Sequence, residues 1–326
     1  MGGELFPSAS IPDPFVGRVL DGRYEIVERL GEGGVGLVYR AKDAKVGRQV
    51  AIKVLQQHAA DVPEWRQRFE REAKVLYALD HPNIVKVTDS GIDNGLPYLV
   101  MELLQGKTLA DLIDEGPLPA PRALDIARQL LRGLAFAHER GIVHRDLKPA
   151  NAFLQALPDQ ADHVTLLDFG MAKFLEGSSS RSLVDNLTQT GTIFGTPSYM
   201  SPEQGRAEPV DARSDVYAAG AILFELLTGR TPFAGESLHD KMRAHLVEPI
   251  PSLADARPDL SIAASLQPVV DRSMAKKAAS RFPDAASMLA AVEAIDAVPH
   301  SWRVVAAKVA GAILRCWRMG RGSGLG

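Results

Sequence analysis

A single cysteine, Cys316, serves the whole 326-residue chain. That excludes an intramolecular disulfide framework and suits a reducing compartment, with the cytoplasm as the default. Long apolar runs are missing as well: nothing approaches the roughly 18 consecutive apolar residues of a membrane-spanning helix. The opening stretch "MGGELFPSASIPDPFVG" lacks the basic-then-apolar pattern of a signal peptide. Gly2 invites myristoylation, but Phe6 stands where that motif needs Ser or Thr. Excess charge of either sign is also absent. With 37 Lys and Arg against 40 Asp and Glu, the formal net charge is −3, so no basic field exists to gather nucleic acid, and no nucleic-acid partner is expected. No internal repeat is visible. What is present is ample apolar material, 46% of residues, in a chain longer than one small domain, so two lobes are expected.

Residues 1–17 are rich in Pro, Gly and Ser without a period and read as a flexible arm, with order beginning near Tyr24. "RYEIVERL", "GLVYRAKD" and "QVAIKVL" alternate apolar and polar residues around turns and predict three antiparallel strands. The period then changes. Trp65, Phe69, Ala73, Leu76 and Leu79 fall three or four apart, which predicts a helix that stops before "DHPN". "IVKVTDSG" and "PYLVMEL" predict two more strands. Beyond Gly106 the chain turns mostly helical, and the run Asp215 to Leu227, apolar nearly all round, predicts a helix buried at a domain centre. The expected fold class is α+β: an antiparallel sheet with one helix, then a larger helical lobe.

Chemistry concentrates in a few short stretches. "LGEGGVGLVY", residues 30–39, spaces Gly31, Gly33 and Gly36 as G-x-G-x-x-G. Strand-like sequence flanks it on both sides, so these glycines belong at a hairpin tip, where backbone N–H groups can approach phosphate oxygens without a side chain in the way. Lys53, within "VAIKV", reads either as a solvated strand residue or as a cation aimed at phosphates and held by a carboxylate; Glu72 on the following helix can supply the carboxylate, or be one more solvated charge. "HRDLKPAN", residues 144–151, and "LLDFG", residues 166–170, add two carboxylates, an amide oxygen and a lysine. Phosphoryl transfer needs this set. Asp146 can accept the substrate hydroxyl proton, Asn151 and Asp168 can offer oxygens to Mg²⁺, and Lys148 can place positive charge beside the moving phosphoryl group.

In these motifs and their order the chain resembles the eukaryotic-like (Hanks-type) serine/threonine protein kinases, most of all the bacterial members. The resemblance covers about residues 18–297 and includes "GEGGVG", "VAIK", Glu72, "HRDLKPAN", "DFG", "SPE" at 201–203, "SDVYAAG" at 214–220, and Arg281. It implies a bilobal kinase fold with an N-lobe of about 18–101, a hinge at 102–107 and a C-lobe at 108–297. It also implies an ATP-dependent transferase acting on Ser and Thr hydroxyls of proteins, with Mg²⁺ as cofactor and Mn²⁺ as an alternative. By the same resemblance, Lys53 contacts the α and β phosphates and pairs with Glu72. The nucleotide lies under the span from Leu30 through Gly31, Glu32, Gly33, Gly34, Val35, Gly36 and Leu37 to Val38. Met101 is then the gatekeeper, Glu102 to Leu104 read adenine through their backbone, and Val38, Ala51 and Phe153 sandwich the ring. Arg145 would receive a phosphate from the activation segment, with Thr188 or Thr190 as autophosphorylated residues, a dimer as the arrangement for phosphorylation in trans, and Thr196 as a structural contact.

The resemblance also assigns structural roles. His144 is expected to pack with Leu76, Val87 and Phe169, Asp215 to anchor the catalytic-loop backbone, and Glu203 to pair with Arg281. Departures from the family pattern are few: Ser201 replaces the frequent Ala, Ala150 the frequent Glu, and Phe153 the usual Leu. Two other functions compete. A pseudokinase scaffold is disfavoured because Lys53, Asp146, Asn151 and Asp168 are all present. A small-molecule phosphotransferase is disfavoured by the long Thr-rich segment between Asp168 and Glu203. Residues 298–326 lie beyond the resemblance. Along "SWRVVAAKVAGAILRCWRMGRG", Trp302, Val305, Val309, Ile313, Cys316 and Trp317 share one helical face, with Arg303, Lys308, Arg315 and Arg318 on the other. Such a helix suits either packing on the kinase domain or a partner, or lying on the anionic inner surface of a membrane.

Overall fold

The computed structural model describes residues 13–33, 36–55, 63–169, 197–235 and 237–295. The chain divides into two compact units. Of the described residues, the first takes those up to Ala78 plus Lys86–Leu103, and the second takes Leu79–Val85 plus those from Leu104 to 295.

In the first unit, strands β1 (Val19–Leu20), β2 (Tyr24–Gly33), β3 (Gly36–Asp43), β4 (Gln49–Leu55), β5 (Val87–Asp93) and β6 (Leu96–Glu102) form one antiparallel sheet in the order β1-β2-β3-β4-β6-β5. The turn between β5 and β6 is Asn94-Gly95, both with positive φ, 48° and 79°. That is the two-residue turn whose twist matches paired strands, and Asn-Gly is the sequence that tolerates it. Helix α1 (Pro63–Tyr77) starts on a proline, whose missing N–H costs nothing in the first helical turn. Its predicted apolar stripe is buried at Phe69, Ala73 and Leu76.

The strand alternation divides the sheet into two faces. Tyr24, Ile26, Tyr39, Ala41, Val50, Ile52, Val54, Tyr98 and Val100 build a cluster on one face, joined by Leu20. Order begins earlier than the composition suggested. Phe15 packs on the Tyr39 ring at 5.6 Å, the Tyr39 hydroxyl donates to Asp13 at 3.0 Å, and Gly17 N–H donates to the Ile26 carbonyl. The sheet end is fastened by Arg23, which bonds Asp43 at 2.8 Å and Asp89 at 2.7 Å, and by the Tyr24 hydroxyl on Asp89. Proline and glycine content alone could not reveal these anchors, because each lies far along the chain from its partner.

The second unit holds β7 (Lys107–Thr108), α2 (Leu109–Ile113), α3 (Ala120–His138), β8 (Ala152–Leu157), β9 (Gln160–Leu166), α4 (Pro202–Gly205), α5 (Ala212–Thr228), α6 (Leu238–Val247), α7 (Leu253–Ala256), α8 (Ala263–Ser273) and α9 (Ala285–Glu293). Every residue from Ser214 to Leu227 is buried, as the all-round apolar run predicts. The Asp211 side chain caps the start of α5, and Gly229 ends it in the left-handed region at φ 70°. At Gly220 a β-carbon would sit 2.1 Å from Ser273 Oγ, so glycine is what lets α5 and α8 approach so closely. Leu79–Val85, which follows α1 in sequence, belongs with this unit. Asn83 Nδ2 donates to the Val164 carbonyl at 2.7 Å, while Val85 N–H donates to the Leu166 carbonyl and Leu166 N–H to the Asn83 carbonyl. Among the described residues no helix is long and apolar enough to cross a membrane.

Candidate active site

Ladder register brings the first unit's candidate residues onto one sheet face. Val38 pairs with Gly31 on β2 and with Lys53 on β4, and Ala51 pairs with Met101 on β6. Directly paired residues of antiparallel strands share a face. Gly31, Val38, Lys53, Ala51 and Met101 therefore line the face opposite the aromatic cluster. Lys53, Ala51 and Met101 are buried there. Leu37 is different: strand alternation sends its side chain to the other face, against the aromatic cluster, so only its backbone belongs to the candidate span. Leu30 is exposed, and Glu32 is exposed and paired with Arg29.

Two of the three loop glycines can be separated by the space around them. A β-carbon at Gly36 would lie 2.1 Å from the Val54 carbonyl, so strand packing itself demands glycine. At Gly31 nothing lies within 4 Å and φ is ordinary, so the fold makes no such demand. Gly33 pairs with Gly36 at the end of the hairpin. Gly34 and Val35 lie outside the described residues, as does the side chain of Glu72. Glu102 bonds Lys86 twice, its N–H to the Lys86 carbonyl at 3.1 Å and its carboxylate from the Lys86 N–H at 2.9 Å. The chain passes from the first unit to the second between Leu103 and Leu104.

In the second unit, Arg145, Asp146, Lys148 and Asn151 sit on the loop between α3 and β8. No ladder holds this loop; buried side chains do. Asp215, buried at the start of α5, accepts from His144 N–H at 2.7 Å, Arg145 N–H at 2.9 Å and His138 Nε2 at 2.9 Å. The backbone bonds are those expected from the resemblance, and the third partner is new. His138 Nδ1 accepts from Ala285 N–H at 3.3 Å, so its proton sits on Nε2, facing Asp215. Arg145 adopts φ 70°, a conformation that costs a residue with a β-carbon about 1–3 kcal/mol and persists only where its surroundings enforce it. Here both ends of the residue are held, because Gln204 Nε2 donates to the Arg145 carbonyl at 2.6 Å.

Asp146, Lys148 and Asn151 are brought together. Lys148 Nζ lies 2.7 Å from Asp146 Oδ2, and Asn151 Nδ2 donates to the Asp146 carbonyl at 2.8 Å and to Oδ2 at 3.1 Å. With the amide hydrogens so directed, the side-chain oxygen of Asn151 is the atom left to serve a ligand. The Asp146 side chain remains 45% exposed, against 17% for Lys148. The Asn151 carbonyl accepts Leu167 N–H at 2.8 Å, which ties the loop to the residue before Asp168. Asp168 itself adopts φ 60°. His144 is fully buried, donates from Nε2 to the Leu167 carbonyl at 2.8 Å and packs its ring, tilted by 52°, against that of Phe169 at 4.7 Å. It is structural, as expected. Leu76 and Val87, the other expected members of that packing, lie in the first unit. Phe153 is half-buried on β8, where it pairs with Thr108 and Thr165.

Behind the loop, Glu203 and Arg281 form the expected pair through two bonds of 2.7 and 2.8 Å, and Ser214 Oγ also donates to Glu203. Burial pushes the Glu203 pKa up, but the bonds from Arg281 and Ser214 outweigh it and leave the carboxyl below its usual range. The Tyr199 hydroxyl donates to Glu225 at 2.6 Å, fixing residues 197–199 on α5. Thr188, Thr190 and Thr196 and the whole of 298–326 lie outside the described residues. Sequence reasoning missed His138 and Gln204. Gln204 carried a partial signal, since a serine followed three residues later by Gln is a helix-start pattern. His138 carried none.

Residues 24–292 match the family described as "Protein kinase domain", and the chain belongs to that family. Among curated proteins it is 40% identical over 287 residues to serine/threonine-protein kinase Pkn1 of Myxococcus xanthus, covering 88% of this chain and 40% of Pkn1. It is 41% identical over 277 residues to serine/threonine-protein kinase PknB of Mycobacterium leprae, covering 83% and 42%. Among solved structures it resembles the PknI kinase domain of Mycobacterium tuberculosis with a TM-score of 0.63 and 29% identity, covering 85% of this chain and 96% of that one. The fold is the protein kinase fold. The chain spans less than half the length of the curated relatives it matches.

Proposed function

We propose that this chain is an ATP-dependent protein serine/threonine kinase that transfers the γ-phosphoryl group to Ser and Thr hydroxyls. The observation that carries the reading is the Asp146–Lys148–Asn151 constellation on a loop pinned by Asp215. Asp146 Oδ2 is engaged by Lys148 and Asn151, so Oδ1 is the atom to take the hydroxyl proton as the new O–P bond forms and the bond to ADP breaks. Lys148 supplies positive charge beside that transfer. Asn151, through its amide oxygen, and Asp168, through its carboxylate, fit a hard, oxygen-seeking cation and would hold Mg²⁺. When bound, Mg²⁺ neutralises phosphate charge. Lys53, with Glu72 as its partner, would hold the α and β phosphates from the sheet face that also carries Val38, Ala51 and Met101. Gly31 supports this reading, since its open surroundings give the fold itself no reason for glycine.

Autophosphorylation at Thr188 or Thr190, read by Arg145, belongs to the same proposal and follows from the charge an added phosphate brings to an arginine. Phosphorylation in trans through a dimer accompanies it. The basic tail favours a peripheral contact, with a partner or with an anionic membrane surface. The test is Asp146→Asn. Transfer to a generic basic protein should fall by a factor on the order of 10² or more while ATP binding stays close to wild type. Wild-type-like turnover would overturn the assignment. ATP consumption that never marks a protein substrate would point instead to a small-molecule phosphotransferase.

A further inference from the structure

Ser201 departs from the alanine frequent at its position, and the structure gives the departure a use. Ser201 is 1% exposed and precedes α4. Gln204 Oε1 accepts from both Ser201 N–H and Ser201 Oγ–H, each at 3.0 Å. With its oxygen held by Ser201, the Gln204 amide can point only one way, and Nε2 donates to the Arg145 carbonyl at 2.6 Å. That carbonyl belongs to the peptide leading directly to Asp146. The N–H of the same residue is already taken by Asp215. Arg145, in its left-handed conformation, is thus clamped from α5 on one side and from the start of α4 on the other.

We propose that Gln204, oriented by Ser201, is a positioning residue for Asp146, and that through it the chain just after the activation segment controls the catalytic loop. The inference rests on the reading of the chain as a protein kinase. A plain helix-capping role makes a different prediction, because Glu at this position caps a serine-initiated helix as well as Gln does. Glu, however, turns the donor facing the Arg145 carbonyl into an acceptor, and repels it.

The test compares Gln204→Glu and Gln204→Met with wild type in the full chain. Both should lower kcat by about tenfold, the scale of one lost hydrogen bond to a site-defining peptide. KM for ATP should stay within about twofold, since the nucleotide contacts are elsewhere. In parallel, amide hydrogen exchange over residues 142–148 should quicken in both variants, while the interior of α3 keeps its wild-type protection. Wild-type kcat or wild-type exchange over 142–148 in Gln204→Glu overturns the inference. If the wild-type chain phosphorylates nothing, the kinase reading fails, and the exchange measurement still decides whether Gln204 holds the loop.

Discussion

The sheet face of the first unit and the loop of the second hold their candidate residues by different physics. On the sheet, Gly31, Val38 and Lys53 form a row because neighbouring strands are hydrogen-bonded backbone to backbone in one register. A slip of one residue would turn every side chain to the other face, so the whole apolar pattern defends the row. In the second unit, Arg145 at φ 70° on the loop and Asp168 at φ 60° beyond β9 belong to no ladder, and placement depends on Asp215, Gln204, Asn151 and His144. Support is therefore distributed in the first region and concentrated in the second. Single substitutions should do most harm where it is concentrated.

The sharpest way to break this contrast is Asp215→Ala. It leaves two backbone N–H groups and the His138 N–H without their acceptor, at about 1–3 kcal/mol for each buried donor. Urea denaturation should show a loss of about 3–9 kcal/mol, together with lost phosphoryl transfer; a loss under about 1 kcal/mol would refute concentrated support. Next comes Arg281→Met, which strands Glu203 as a buried carboxylate at about 3–5 kcal/mol. In wild type the Glu203 pKa is depressed, so its contribution is present above the unfolded carboxyl pKa and is lost as pH falls through the folded one. The variant's deficit should accordingly shrink on acidification, when Glu203 can be neutralised, and a deficit independent of pH would rule this account out.

The smallest of the three effects comes from His245, on α6, where a buried ionisable group is held by packing and not by an opposite charge. Its ring lies 4.8 Å from that of Phe233 and shares a 2.8 Å hydrogen bond with the Tyr217 hydroxyl. Burial, helped by the nearby Lys276 ammonium, pushes its pKa down from 6.5 to about 4. Between those two values the unfolded chain binds a proton that the folded chain refuses, so stability falls as pH drops through this window. From pH 7 to pH 5 the wild-type chain should lose about 2 kcal/mol on this account. In His245→Gln that part of the slope should vanish, whatever the substitution does to stability at pH 7. Equal slopes in the two proteins, measured by urea denaturation at each pH, would show that the fold does not keep this histidine neutral in that window.

Legibility in the sequence followed the same division. The five strands and α1 were readable because a period of two or of 3.6 repeats over many residues, and the burial of α5 was readable because its run is apolar all round. Asp146, Lys148 and Asn151 were readable because all three lie within six residues of one another, so the short loop itself brings them close. Distance along the chain hid the rest. Asp13 reaches Tyr39 across 26 positions, Gln204 reaches Arg145 across 59, and His138 reaches Asp215 across 77. Leu37 shows a subtler limit: membership of a glycine-rich span says nothing about the face on which a side chain falls, and only the ladder register sends it to the aromatic cluster.

By itself, then, the sequence determined the element types, the order of the motifs and the chemical groups available for phosphoryl transfer, since composition, periodicity and short-range spacing are local properties of the chain. Tertiary structure alone decided how those groups are held. A carboxylate buried at the start of α5 and an amide at the start of α4 together keep Arg145 in a conformation it would not adopt unaided. No local pattern encodes such a clamp, because hydrogen bonds between residues far apart in sequence have partners only once the fold has closed and the competing water is gone.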